Sequence, residues 1–130
     1  MAADLWATGI SRVYPIQLLR DQLDQRGITP AARLSTVDDK TWVTVAGIVT
    51  HRQRPSSAGG VTFLNLEDET GHVNIICPVP VWTRHRRAAR DSPALTIRGM
   101  LERAHGVTNV VAERIQRLPL TMRTTPRDFR

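Results

Sequence analysis

His51, Arg52, Gln53 and Arg54 stand together immediately before the run Pro55-Ser-Ser-Ala-Gly-Gly60. Basic heads on a flexible loop can follow a chain of phosphates, although on a generic loop the same charges serve only solvation. Arg84, Arg86, Arg87 and Arg90, with His85 among them, form a second cluster. On a helix Arg86 and Arg90 share a face at four-residue spacing, and like charges so placed destabilise it. An anionic partner would relieve that repulsion, as would a neighbouring protein; a solvated face is the plainer alternative. Glu67, Asp68 and Glu69 could in principle hold a metal or act as an acid–base pair. The simpler reading is that Asp68 and Gly71 set a turn while the other acids face solvent. His51, His72, His85, His105 and Cys77 lack the spacing of zinc ligands, with no CxxC or HxxxH pair. Neither a Walker loop nor a nucleophile elbow is present. These residue types point to binding rather than catalysis, and no catalytic residue, metal or cofactor is expected.

The chemistry has to be carried by one domain, since 130 residues suffice for one core and are short for two. The net charge of +6 is uneven: residues 1–50 balance five basic against five acidic side chains, so the excess comes from His51 onward. Seventeen of the eighteen basic residues are arginine, whose planar fork suits phosphates and bases, although genomic base composition can produce the same bias. A one-sided basic field suits a polyanion. Cys77 is the single cysteine, which fits a reducing compartment. No signal peptide is read at the N-terminus, and no apolar run approaches the ~18 residues of a membrane span. A cytoplasmic, nucleoid-associated protein that makes no membrane contact is expected.

Ile16, Leu19 and Leu23 recur at helical spacing, with Leu18 and Leu5 as supporters, between Pro15 and the stop at Gly27. Thr29-Pro30 reads as cap and first position of a short second helix. Residues 1–40 are thus a helical lead-in. Strands follow at Trp42–Thr50, Val61–Glu67, His72–Cys77, Ala94–Glu102 and Val107–Ile115, with a short helix at Val81–Arg90. Gly47 marks a bulge or sharp bend. Three strands, a helix and two strands make the plan of an OB-fold, a mainly β, five-stranded Greek-key barrel. It is expected over residues 41–118, with a basic tail at 119–130. Period-two alternation puts Thr62, Leu64 and Leu66 on the core face and leaves Phe63 exposed beside Asn65.

The stretch from the glycine-kinked first strand through THRQRP at Thr50 to Pro55 and GVTFLNLEDETG at Gly60 to Gly71 resembles the anticodon-binding type of OB-fold. That resemblance implies that Phe63 stacks on a base and that Arg52 holds phosphate or base. His51, Arg54, Asn65 and Asn74 complete the candidate nucleic-acid-binding set. With Trp6-Ala-Thr-Gly9, Tyr14-Pro15, SPAL at Ser92 to Leu95, RGMLERAHGVTNVVAERI at Arg98 to Ile115 and Arg127-Asp-Phe-Arg130 added, the chain looks like the C-terminal domain of bacterial error-prone C-family DNA polymerases, relatives of polymerase III alpha. The resemblance covers essentially the whole chain. It implies single-stranded DNA as partner, with RNA as an alternative, and a place in DNA repair by translesion synthesis beside an accessory protein and the sliding clamp. The family's palm aspartates and phosphoesterase domain have no counterpart here, so polymerase activity is not carried over. A protein-docking module is the second reading, and a metal-dependent nuclease the third.

Overall fold

The computed structural model describes residues 13–54 and 59–120. Leu5, the Trp6 to Gly9 motif, Pro55–Ala58 of the first loop and the tail from Thr121 lie outside the described residues. Two short helices, α1 (Tyr14–Leu18) and α2 (Arg20–Gln25), and a 3-10 turn (Ala31–Thr36) precede strand β1 (Trp42–Gln53). Strands β2 (Thr62–Asp68) and β3 (Gly71–Cys77) follow, then helices α3 (Val79–Arg84) and α4 (Arg86–Asp91), then β4 (Ala94–Ala104) and β5 (Val107–Arg117). The strands close into a barrel in the order β1-β2-β3-β5-β4, in which β3 and β5 run parallel and the other neighbours antiparallel.

Inward positions of all five strands fill the barrel: Val45, Leu66, Ile75, Leu95, Ile97, Leu101, Val110 and Ile115 are at most 2% exposed. Each such side chain contributes roughly 1.5–3 kcal/mol on burial. Trp82 of α3 and Ala89 of α4 belong to the same core, so the helical segment plugs the barrel. Cys77 is buried too, and burial pushes its thiol up to about 11. A second cluster forms outside the barrel, where Ile16, Leu19, Leu23 and Ile28 cover Ala46 of β1 and Ala94 of β4. The helical lead-in therefore has a specific seat on the outer sheet surface.

Several local expectations are corrected. The first helix is interrupted at Leu19, and Leu18 faces solvent rather than supporting the apolar stripe. The helix between the third and fourth strands is likewise two pieces meeting at His85. The Thr29-Pro30 pair gives no side-chain cap. Instead the Asp68 carboxylate, from the distant β2–β3 turn, accepts from Ala31 N–H at 2.8 Å. Its other oxygen accepts from the Thr70 and Gly71 amides at 2.7 and 3.0 Å, which fixes that turn as expected. Glu69 does not simply face solvent. Arg20 donates to it from Nε at 2.7 Å and from Nη2 at 2.9 Å, clamping α2 to the turn. Among the described residues no helix is long and apolar enough to cross a membrane.

Candidate nucleic-acid interface

A single extra residue in β1 decides which side chains face the outer groove. Val49 pairs with Leu66 and His51 with Asn65, so Thr50 is an unpaired bulge. Before it, Val43 and Val45 point inward. After it the phase reverses: His51 and Gln53 pair with the outward Asn65 and Phe63, and Arg52 pairs with the inward Leu64. Three of the residues expected on a loop, His51, Arg52 and Gln53, are thus strand residues divided between two faces, and Arg54 directly follows the strand.

The outward set forms an open groove of about 420 Å³, lined by His51, Gln53, Phe63, Asn65, His72 and Asn74 with a contribution from Leu64. Phe63 is 38% exposed, as alternation along β2 predicts. Asn65 organises the polar wall. Its Nδ2 donates to Asn74 Oδ1 at 3.0 Å and to Val73 O at 3.4 Å. A backbone carbonyl only accepts, so this contact fixes the amide's orientation. Asn65 Oδ1 accepts from Thr50 Oγ1 at 2.8 Å and from His72 Nδ1 at 2.9 Å. The Thr50 proton being committed, His51 Nδ1, 3.1 Å from Thr50 Oγ1, is the donor there. Each imidazole therefore carries its proton on Nδ1 and turns Nε2 outward. His72 Nε2 lies 3.7 Å from Glu67, whereas the Nε2 of exposed His51 can meet a ligand. The groove offers one aromatic face beside a wall of amide and imidazole groups held in place by hydrogen bonds. Such a surface can stack a flat ring and bond its edge.

Of the residues singled out from sequence, His51, Phe63, Asn65 and Asn74 are brought together. Gln53 and His72 join them unforeseen. Period-two alternation from Asn74 points to His72, but Gln53 shares this face only because of the bulge. Arg52 and Arg54 do not line the groove. Arg52 Nε donates to the Ala89 carbonyl at 2.7 Å and its Nη2 to the Ser92 carbonyl, tying β1 to the end of α4. Desolvation by these surroundings pushes its pKa down. Arg54 donates to Gly60 O at 3.3 Å and lies over the Trp82 ring at 6.0 Å. The exposed Arg84, Arg86, Arg87 and Arg90 sit on the plug helices, away from the groove lining. Among the described residues no three His, Cys, Asp or Glu side chains converge as a metal site.

Comparison with known proteins agrees with this architecture. Residues 43–118 match a family model described as an OB-fold nucleic acid binding domain. The asparaginyl-tRNA synthetase of Pyrococcus horikoshii superposes with a TM-score of 0.56 at 21% identity, covering 70% of this chain and 22% of that one. The ygiW protein of E. coli does so with a TM-score of 0.55 at 17% identity, covering 70% and 89%. At these identities the likeness is one of fold. The error-prone DNA polymerase of Mycolicibacterium paratuberculosis is 58% identical over 130 residues, and that of Mycobacterium tuberculosis H37Rv 56%. The match takes in 99% of this chain but only 12% of either polymerase, within the C-terminal part. With a closed five-stranded barrel and that family model matched across it, the chain belongs to the OB-fold nucleic-acid-binding domain family.

Proposed function

We propose that this chain is a non-catalytic module that binds single-stranded nucleic acid in the groove around Phe63, serving an error-prone polymerase in translesion synthesis. The observation that carries this reading is an exposed phenylalanine set against a hydrogen-bonded wall of His51, Asn65, His72 and Asn74. A base in a duplex has both faces stacked already, whereas an unpaired base can leave its neighbours and lie on Phe63 at a gain of roughly 1–3 kcal/mol. DNA is the preferred strand, in keeping with the DNA polymerases it is similar to. On the same reading the module works in the cytoplasm at the nucleoid, with the translesion accessory protein and sliding clamp as further partners.

Fluorescence anisotropy with a labelled oligonucleotide, single-stranded and as a duplex, at low and moderate salt, tests the proposal. Tighter binding of the single strand is the expected result. Preference for the duplex, or no binding to either, would remove the groove reading and leave a protein-docking role for the barrel.

A further inference from the structure

The groove carries no guanidinium, so the arginines of this basic chain must be placed elsewhere. Three of them meet on another side of the barrel. Arg98 of β4 and Arg114 of β5 are registered cross-strand partners, both exposed and pointing outward. Like charges directly opposite on an antiparallel pair destabilise it. Arg26, at the end of α2, joins them in a cleft whose remaining walls are Ile28, Thr44, Thr96 and Gln116. Glu113 lies 3.6 Å from Arg98, and both are about half exposed, so that pair neutralises little. Neither the Arg26 nor the Arg114 guanidinium has an ion-pair or hydrogen-bond partner among the described residues. Thr96 is 6% exposed, and its hydroxyl lacks a hydrogen-bond partner. His85, between the plug helices, titrates lower than an ordinary histidine through burial, then through the positive charges of Arg84 and Arg114.

An aromatic stands beside this cleft. Trp42 is 47% exposed at the start of β1, and the guanidinium carbon of Arg98 lies 5.2 Å from its ring centroid. Trp42 pairs with Met100 and Thr44 with Arg98, so the ring and the cleft occupy successive outward positions on β1 and β4. A tryptophan packed inside a barrel has an obvious role, as Trp82 does. A half-exposed one has Arg98 over one face of its ring and leaves about half of its surface open to solvent, with a cation beside it.

We propose that Trp42 with Arg26, Arg98 and Arg114 forms a second contact for single-stranded nucleic acid, in which the arginine cleft takes a backbone phosphate and Trp42 stacks an adjacent base. The two contacts lie at opposite ends of β1. Trp42 to His51 spans nine residues, about 30 Å along a strand. A strand spanning that distance needs about nine nucleotides at the 3.4 Å spacing of duplex phosphates and fewer when extended, within the roughly 4–16 that one OB-fold covers. This second contact goes beyond the groove reading and stands independently of it.

The test uses the full chain, a labelled twenty-nucleotide thymidine oligomer and three variants: Arg26→Ala/Arg114→Ala, Trp42→Phe and Phe63→Leu. The arginine pair is exposed and leaves the core untouched, and circular dichroism melts check that the fold survives. We expect the arginine variant to bind about five- to tenfold more weakly, with a log–log salt slope shallower by about 0.7, the contribution of one phosphate on a single strand. Added oligomer quenches tryptophan fluorescence in the wild type and markedly less in Trp42→Phe. If the arginine variant keeps wild-type affinity and salt slope while Phe63→Leu loses binding, the second contact is refuted and the groove stands. If the arginine variant loses binding while Phe63→Leu does not, the second contact stands and the groove reading falls. Arginine-dependent binding of an acidic peptide with none of the oligomer overturns it in favour of a protein partner.

Discussion

Replacing Phe63 with leucine separates the ring's service to a ligand from its service to the fold. The ring is 38% exposed, so the protein covers somewhat more than half of it. A buried aromatic removes about 150–250 Å² from water, and 60% of that is roughly 90–150 Å². At about 25 cal/mol per Å² the upper limit on its contribution is roughly 2–4 kcal/mol. Alanine would forfeit much of this together with the stacking surface, and a loss of binding could not then be told from a loosened strand. Leucine keeps most of the apolar contact, and hydrophobic swaps of this kind cost less than about 1.5 kcal/mol. It has no π face, so stacking worth about 1–3 kcal/mol is lost, a five- to 150-fold drop in affinity. Anisotropy titration alongside urea unfolding measures both quantities on the same protein. Wild-type affinity in Phe63→Leu refutes stacking at this position. A stability loss as large as the binding loss shows Phe63 to be structural.

Arg52→Ala should lower Tm by about 3–8 °C, since two partly exposed bonds from a charged donor are worth about 1–2 kcal/mol together. Its effect on oligonucleotide affinity should be small; a large affinity loss at unchanged Tm would show that the guanidinium leaves the Ala89 and Ser92 carbonyls for a ligand. The Glu69 carboxyl is held below its ordinary range, first by the hydrogen bond from Arg20. Its stabilising contribution is present above the unfolded carboxyl value of about 4.3 and disappears as pH falls through the depressed folded value. Urea unfolding of Arg20→Ala should therefore show a deficit of about 2–3 kcal/mol at pH 7 that narrows in this acid window, because both partners are only about 15% exposed; a deficit unchanged with pH would mean the arginine acts through packing alone. A Cβ on Gly47 would sit 2.7 Å from the Glu67 carbonyl oxygen, so Gly47→Ala should destabilise by about 1–3 kcal/mol in a thermal melt, and no change would mean β1 and β2 separate easily there.

Strand-period and turn chemistry were legible at Phe63, Leu64 and Leu66, whose alternation along β2 predicts which ring is exposed, and at Asp68 and Gly71, which set the β2–β3 turn. The bulge at Thr50 was not. Nothing in the Thr50-His-Arg-Gln53 run distinguishes an unbroken strand from one with an extra residue, because the bulge is set by how β1 bends across β2. Ending the first strand at Thr50 leaves Arg52 and Arg54 as free loop heads and hides Gln53, which the bulge turns onto the groove face. The capping of Ala31 by Asp68 was hidden for a related reason. The two residues are 37 apart, and only the packing of the lead-in against the barrel brings them together.

The division of groups between groove and cleft has a consequence for salt dependence. A phosphate neutralised by arginine releases counterions, and each adds to the slope of log affinity against log salt. A base stacked on Phe63 and bonded to neutral amides releases none. Loss of the Phe63 ring should therefore shift the whole binding curve while leaving its slope unchanged. Loss of Arg26 and Arg114 should tilt it. Arg52 and Arg54 stay near the end of β1, but their guanidiniums are engaged by carbonyls and by the Trp82 ring, so they act on a bound strand chiefly through the general field. At ~0.15 M salt that field decays over about 8 Å. A steep slope in the wild type that survives removal of Arg26, Arg98 and Arg114 would mean that phosphates are held by other arginines. Were those Arg84 to Arg90, the strand would cross the barrel plug, a path that neither the groove nor the Trp42 surface lies on.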